Sequence, residues 1–270
     1  PMYKSVFGKS QKATLKQLHL LINLYRDVDL TEECRMTLGK WMDKWLDEYM
    51  IFKIKEKTMD GYRSIAEHQI KRFIGDKQLA YLTTADIQKF YNKIRKEGRV
   101  KPHPLYGYAL SDSVVRKIHM TLHEALEEAV RERYIVRNPT NGTAIPKKSY
   151  GEKQVLEDSQ LDTFMDAIQR EPYWHDFFYV EIMTGLRRGE ICGLKWTDID
   201  FTAGTMSIRR SVGRTRYGGI SIGETKTNAG TRTILMPPSV AELLKAKKDN
   251  AINEWIFPHY MTPSEPLQPD

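Results

Sequence analysis

The period of the apolar residues changes once along this chain. From Lys12 to the neighbourhood of Asp200 they recur mostly at helical spacing, and from Met206 to Met236 they alternate. That change commits the chain to a mainly α fold with a small antiparallel sheet near its end. Trp41, Trp45, Leu46 and Tyr49 make one apolar stripe; Tyr62, Ile65, Ile70 and Phe73 make a second; Ile87, Phe90, Tyr91 and Ile94 make a third. A fourth helix is predicted from about Ser113 to Tyr134, with Val115, Ile118, Leu122, Ala125, Leu126, Ala129 and Val130 on one side. Arg116, Lys117, His119 and His123 turn toward the other. Thr58 and Thr84 are placed as N-caps, and Gly75 and Gly98 as stops. Four such helices form a compact all-α unit over residues 33–140.

The remaining segments divide around that unit. Lys12 to Tyr25 carries leucines at 15, 18, 21 and 24, one apolar helical face that cannot make a domain alone, so residues 1–32 read as the tail of a preceding unit and a linker. Asn138 to Gly151 is rich in Pro, Gly, Lys and polar residues, the composition of an interdomain tether, and residues 141–154 are taken as that linker. A second domain, 155–270, opens with Glu157 or Asp158 at the start of a helix bearing Leu161, Phe164, Met165 and Ile168. A very apolar helix, expected to be buried, follows from Trp174 to Met183. The alternating region predicts three short strands, around Met206–Arg210, Ile220–Gly223 and Thr231–Leu235, with Lys226 in the turn between the second and third.

The formal charge of +7 is unevenly placed. Residues 1 to 140 hold 26 Lys+Arg against 18 Asp+Glu, and the remainder hold 16 against 17. A polyanion bound by the first half is the natural partner, since lysine and arginine on phosphates release counterions. A well-solvated helical surface would also account for the charge. No apolar run is long enough for a membrane span, and Pro1-Met2-Tyr3-Lys4 does not open a signal peptide, so the chain is expected in the cytoplasm. Cys34 and Cys192 stand in unrelated contexts and read as packing residues, not as a disulfide or a zinc site.

The segment Thr184-Gly185-Leu186-Arg187-Arg188-Gly189-Glu190 places chemistry on this scaffold. Gly185 ends one helix and permits a tight turn, the next helix restarts at once, and Arg187 then sits near its N-terminus with Glu190 one turn later on the same side. A guanidinium oriented in this way presents a planar fork of donors to phosphate oxygens and keeps its charge when desolvated. Lys226 in a turn can swing into a site and protonate a leaving oxygen, or can simply be solvated.

Glu181 to Asp200, EIMTGLRRGEICGLKWTDID, resembles the first conserved box of the tyrosine recombinases, the phage and conjugative-transposon integrase family. TMDGYRSIAEHQIKRFIG, LTTADIQKFYNKI and LSDSVVRKIHMTLHEALEEAVRERYIVRNP are similar, in order, to that family's core-binding domain, and FGKSQKATLKQL to the closing helix of its arm-site DNA-binding domain. The resemblance implies an all-α core-binding domain plus an α+β catalytic domain, present here without its last part. It makes Arg63, His68, Lys71, Arg72, Arg116, Lys117 and His119 candidates to touch double-stranded DNA. It gives Arg187 the transition-state charge, Lys226 the leaving oxygen and Glu190 the bracing of Arg187. The implied reaction is site-specific recombination that integrates or excises a mobile element through a 3′-phosphotyrosyl intermediate, by a tetramer on DNA, with no metal and no cofactor. No His-x-x-Arg box and no tyrosine in a plausible nucleophile context follow Lys226. His259 and Tyr260 do not fit those roles, so the chain is expected to bind DNA without cleaving it. A non-catalytic architectural protein of the same fold and a metal-dependent nuclease are the alternatives, the latter without a clustered ligand set. A type IB topoisomerase shares the chemistry, but the helical first domain and the linker match the integrases better.

Overall fold

The computed structural model describes residues 5–25, 36–148, 155–215, 219–224 and 231–268. The chain divides into two compact units, Pro1–Gly151 and Glu152–Asp270.

In the first unit, helix α1 (Gln11–Tyr25) precedes the core. Leu15 and Leu18, two members of its apolar face, are 46% and 37% exposed, so this helix does not bury that face at those positions. Four helical stretches build the core. α2 (Leu38–Lys44) runs into a π-helical turn, Trp45–Met50. α3 (Glu56–Ile65) continues through a second π-helical turn, Ala66–Lys71, into the single turn α4 (Arg72–Ile74). α5 (Thr84–Glu97) and α6 (Asp112–Arg131) complete the set. The stripes read from the sequence meet in one core that includes Trp41, Trp45, Ile70, Ile87, Ile94, Ile118 and Leu122. Trp41 satisfies its indole N–H on the Ala125 carbonyl at 2.8 Å, and Trp45 stacks on Tyr62 with ring centres 5.7 Å apart.

The helix starts differ from expectation. α5 is capped by Thr83, not Thr84, and Asp86 reaches back to the Thr83 N–H to close a capping box. α3 begins after Lys55, which leaves Thr58 inside its first turn. Gly75 and Gly98 do terminate their helices. The fourth long helix stops at Arg131, short of Tyr134, because Arg133 adopts φ 62°.

The second unit begins with α7 (Asp158–Ile168), whose N-cap Glu157 donates its backbone N–H to the Gln160 side chain. α8 (Pro172–Thr184) follows, and its burial is one-sided. Phe177 and Val180 are buried, whereas Tyr173, Trp174 and Met183 remain 45%, 37% and 41% exposed. α9 (Arg188–Cys192) and α10 (Pro238–Lys248) flank the strands β1 (Ile199–Asp200), β2 (Thr205–Ile208), β3 (Arg210–Arg214), β4 (Ile220–Glu224) and β5 (Arg232–Leu235). The first of the three expected strands is therefore two, β2 and β3, separated at Arg209. β2 lies between β1 and β5 in one antiparallel sheet, with Ile208 opposite Arg232, while β3 pairs with β4 in a separate hairpin. The core under them gathers Ile191, Leu194, Met206, Ile208, Val212, Val240, Leu244 and Ile256.

Candidate active site and DNA-contact residues

The turn between α8 and α9 fixes Arg187. Gly185 caps α8 in the left-handed region at φ 64°, which a residue with a Cβ adopts only with strain. Its N–H closes on the Glu181 carbonyl at 2.9 Å. Two residues on, Arg187 is the N-cap of α9 in extended conformation, and Glu190 is the third residue of that helix. Glu190 is 3% exposed. One of its oxygens accepts the Arg187 backbone N–H at 3.1 Å, and the other accepts Arg187 Nη1 at 2.7 Å. The same carboxylate receives a second guanidinium, with Arg232 Nη1 at 3.1 Å and Nη2 at 2.8 Å. Burial by itself would raise the pKa of Glu190, but the hydrogen bonds from Arg232 and Arg187 overcome it and hold the carboxyl down to about 2. The Arg187 side chain stays 77% exposed. Its guanidinium is thus anchored on one side by a buried carboxylate and presented to solvent on the other.

Neighbouring contacts make this turn rigid. A Cβ on Gly189 would lie 2.6 Å from both Ser211 Oγ and the Val212 carbonyl, so α9 presses directly on β3. Behind α9, Asp198 is 4% exposed and takes the Arg210 guanidinium and the Lys195 N–H, while Arg210 Nη1 also donates to the Gly193 carbonyl at 3.0 Å. Cys192 is buried, and burial, aided by Glu181, pushes its thiol up to about 12, which leaves it an inert packing group.

Lys226 and Cys34 lie outside the described residues. Among the described residues, β4, which precedes Lys226, pairs with β3, and β5, which follows it, pairs with β2. Arg232 is the residue that sequence reading missed. It stood out only as a charged member of an alternating run, and its signal was the need of an apolar-flanked glutamate for a second partner. Tyr260 is 67% exposed and the neighbouring His259 Nδ1 accepts the Thr262 N–H at 3.2 Å, an arrangement local to the loop.

The seven DNA-contact candidates do not form one cluster. Arg63 pairs with Asp47 at 2.5 Å, and Lys71 bridges Asp43 and Glu67, which turns both toward the acidic edge of the α2 stretch. His68 is exposed on the π-helical turn between them. Arg72 donates to the Arg99 carbonyl at 3.1 Å and lies over the Phe73 ring. On α6, Arg116 donates to the Pro146 carbonyl at 2.8 Å, and Lys117 is exposed beside Gly61 of α3. His119 is half-buried, with Nδ1 2.9 Å from the Tyr91 hydroxyl. Burial, with His123 and Arg116 nearby, holds it below the ordinary imidazole range. Among the described residues no group of three His, Cys, Asp or Glu side chains could hold a metal ion, and no helix is long and apolar enough to cross a membrane.

Comparison with known proteins identifies the family. Residues 37–95 match the phage integrase N-terminal SAM-like domain, and residues 154–269 match the phage integrase family. The two matches together span most of the chain, which belongs to the phage integrase family of tyrosine recombinases. A tyrosine recombinase XerC-like protein of Caldanaerobacter subterraneus subsp. tengcongensis is 26% identical over 268 residues, covering 93% of this chain and 65% of the relative. The integrase of Escherichia phage lambda is 28% identical over 165 residues, covering 61% of this chain and 42% of its own length. The chain thus spans less than two thirds of these curated relatives. Among solved structures, the Tn1549 transposon integrase in complex with a circular intermediate DNA shares the fold with a TM-score of 0.72 at 19% identity, over 86% of this chain and 74% of that one. A lambda integrase dimer bound to a core site gives a TM-score of 0.62 at 25% identity, over 86% and 76%.

Proposed function

We propose that this chain is the duplex-binding and phosphate-holding part of a site-specific DNA recombinase. The observation that carries the reading is the Arg187–Glu190–Arg232 constellation, in which a buried carboxylate grips two guanidiniums and leaves Arg187 facing solvent at the start of α9. Two non-bridging oxygens of a scissile phosphate match the fork of donors on Arg187, and a preorganised donor is worth most as negative charge builds on the pentavalent phosphorus. Glu190 acts through Arg187 as a positioning residue. Lys226, on the segment that leads into β5, is assigned the proton for the departing 5′ oxygen. The attacking hydroxyl belongs to a tyrosine, after which a 3′-phosphotyrosyl bond conserves the energy of the broken phosphodiester and a second strand's 5′ hydroxyl reverses the step. No tyrosine of these 270 residues is assigned that role.

The first unit supplies the duplex contacts through Arg63, His68, Lys71, Arg72, Arg116, Lys117 and His119. Because Arg63 and Lys71 already hold carboxylates, their transfer to phosphates requires those ion pairs to open, and Lys117 is the readiest of the set. Integration or excision of a mobile element by four copies on two duplexes is the corresponding assembly, and such a reaction belongs to the cytoplasm, where the DNA lies. The test is Arg187→Ala in a form that carries the nucleophile, assayed on a nicked duplex of its element's end. Covalent protein–DNA product falls by about a thousandfold while duplex affinity changes within a small factor. Equal loss of both would overturn the catalytic assignment.

A further inference from the structure

The segment joining α5 to α6 is unlike the other connections of the first unit. Residues 99–110 form a miniature hairpin that lies almost wholly outside the core yet is tightly bonded within itself. The His103 N–H donates to the Gly107 carbonyl at 2.7 Å and the Gly107 N–H to the His103 carbonyl at 2.9 Å, with Gly107 at φ 54°. The Arg99 N–H donates to the Tyr108 carbonyl at 3.0 Å, and Arg99 Nε to the Ala109 carbonyl at 2.7 Å. At the tip the Leu105 N–H donates to His103 Nδ1 at 3.1 Å, and the His103 and Tyr106 rings stack with centres 4.9 Å apart. Pro102 and Pro104 stiffen the ascending arm.

This rigid element spends its apolar residues on solvent. Leu105 is 80% exposed, Tyr106 63%, Val100 53% and Tyr108 49%. A structured hairpin with a bare apolar tip is a contact surface awaiting a partner. Charge identifies the partner: from residue 99 to residue 110 the segment contains Arg99, Lys101 and His103 and no acidic residue. It follows directly on Lys93, Arg95 and Lys96, with Glu97 as the one carboxylate of that stretch and Asp112, just beyond the hairpin, paired with Arg95 at 3.1 Å, so Lys93 and Lys96 are the readier cations. Arg72, one of the proposed DNA contacts, donates to the Arg99 carbonyl at 3.1 Å, so the base of the hairpin is continuous with that surface.

We infer that the 99–110 hairpin is a DNA finger, which lays Leu105 and Tyr106 into a groove of duplex DNA while Lys101 and the basic end of α5 take the flanking phosphates. An apolar wedge of this kind gains by removing Leu and Tyr surface from water against sugars and base edges, and the hydrogen bonds inside the hairpin meet the cost of ordering before binding. The inference rests on the duplex-binding reading above.

The whole chain is titrated against a random-sequence DNA duplex over a series of salt concentrations, unmodified and with Leu105→Ala and Tyr106→Ala together. The double variant binds about tenfold more weakly with an unchanged salt slope, because it loses apolar contact and no counterion release. Lys101→Ala, a separate variant, lowers the slope by about one. Both substitutions lie on exposed side chains, and circular dichroism matching the parent verifies the fold. A double variant that binds as tightly as the parent overturns the finger while duplex binding stands. If that same variant also loses self-association by sedimentation, the tip is a contact with a second copy of the chain, which equally overturns it. A parent that fails to bind duplex at low salt overturns the duplex-binding reading and the finger with it.

Discussion

Glu190→Gln separates the carboxylate's charge from its shape, and its cost follows from the site. A carboxyl held at about 2, where an ordinary glutamate titrates near 4.5, stabilises the fold by roughly 3 kcal/mol, at about 1.4 kcal/mol per pH unit. That stabilisation is fully present above pH 4.5, the range of the unfolded group, and is lost as pH falls through the folded value near 2. Glutamine preserves the volume but turns an amide donor toward guanidiniums that need acceptors. Removing one partner of a buried pair costs about 3–5 kcal/mol. Arg187 and Arg232 keep access to water, with side chains 77% and 31% exposed, so the loss belongs at the lower end, about 3 kcal/mol at pH 7. Urea unfolding followed by tryptophan fluorescence measures it. The gap between parent and variant should narrow to roughly 1.5 kcal/mol at pH 3, where the parent's own carboxylate is being protonated in the unfolded chain. A variant as stable as the parent at pH 7, or a gap that does not change with pH, would refute the buried, doubly bridged glutamate.

Other outcomes follow from single contacts. Joint Arg116→Ala and Lys117→Ala should weaken duplex binding and lower the slope of log affinity against log salt by up to about two, read by fluorescence anisotropy. Gly185→Ala should cost about 1–2 kcal/mol by forcing a Cβ into φ 64°, measured by urea midpoint at constant slope. Trp41→Phe should cost about 1–3 kcal/mol, because the Ala125 carbonyl loses its indole partner in a buried setting.

The parts legible in the sequence are those governed by repetition. Trp41, Trp45, Ile70, Ile94 and Ile118 could be assigned to a helical core because each belongs to a stripe repeated over several turns. Gly185 and the Arg187–Glu190 spacing could be read because a turn glycine and a one-turn offset are local facts. What failed was non-local or aperiodic. The alternation of Met206, Ile208 and Arg210 runs unbroken through Arg209, so period alone could not reveal that β2 and β3 enter different sheets. Trp174 and Met183 sit on a helix whose few polar residues, His175, Asp176 and Glu181, are spread round its axis, which gives no signal of which side is covered. Arg232 meets Glu190 across 42 positions of sequence, a pairing visible only once β5 aligns on β2. The 99–110 hairpin has neither period, and its order comes from backbone bonds and two prolines.

The most direct test of the central claim is duplex affinity of the 270-residue chain as a function of salt, in the presence of EDTA. A chain that grips phosphates with arginine and lysine, and needs no metal to do so, should bind tightly at low ionic strength and lose affinity steeply and linearly in log salt, with EDTA making no difference. Absence of binding at low salt, or binding that appears only when a divalent cation is added, would contradict it.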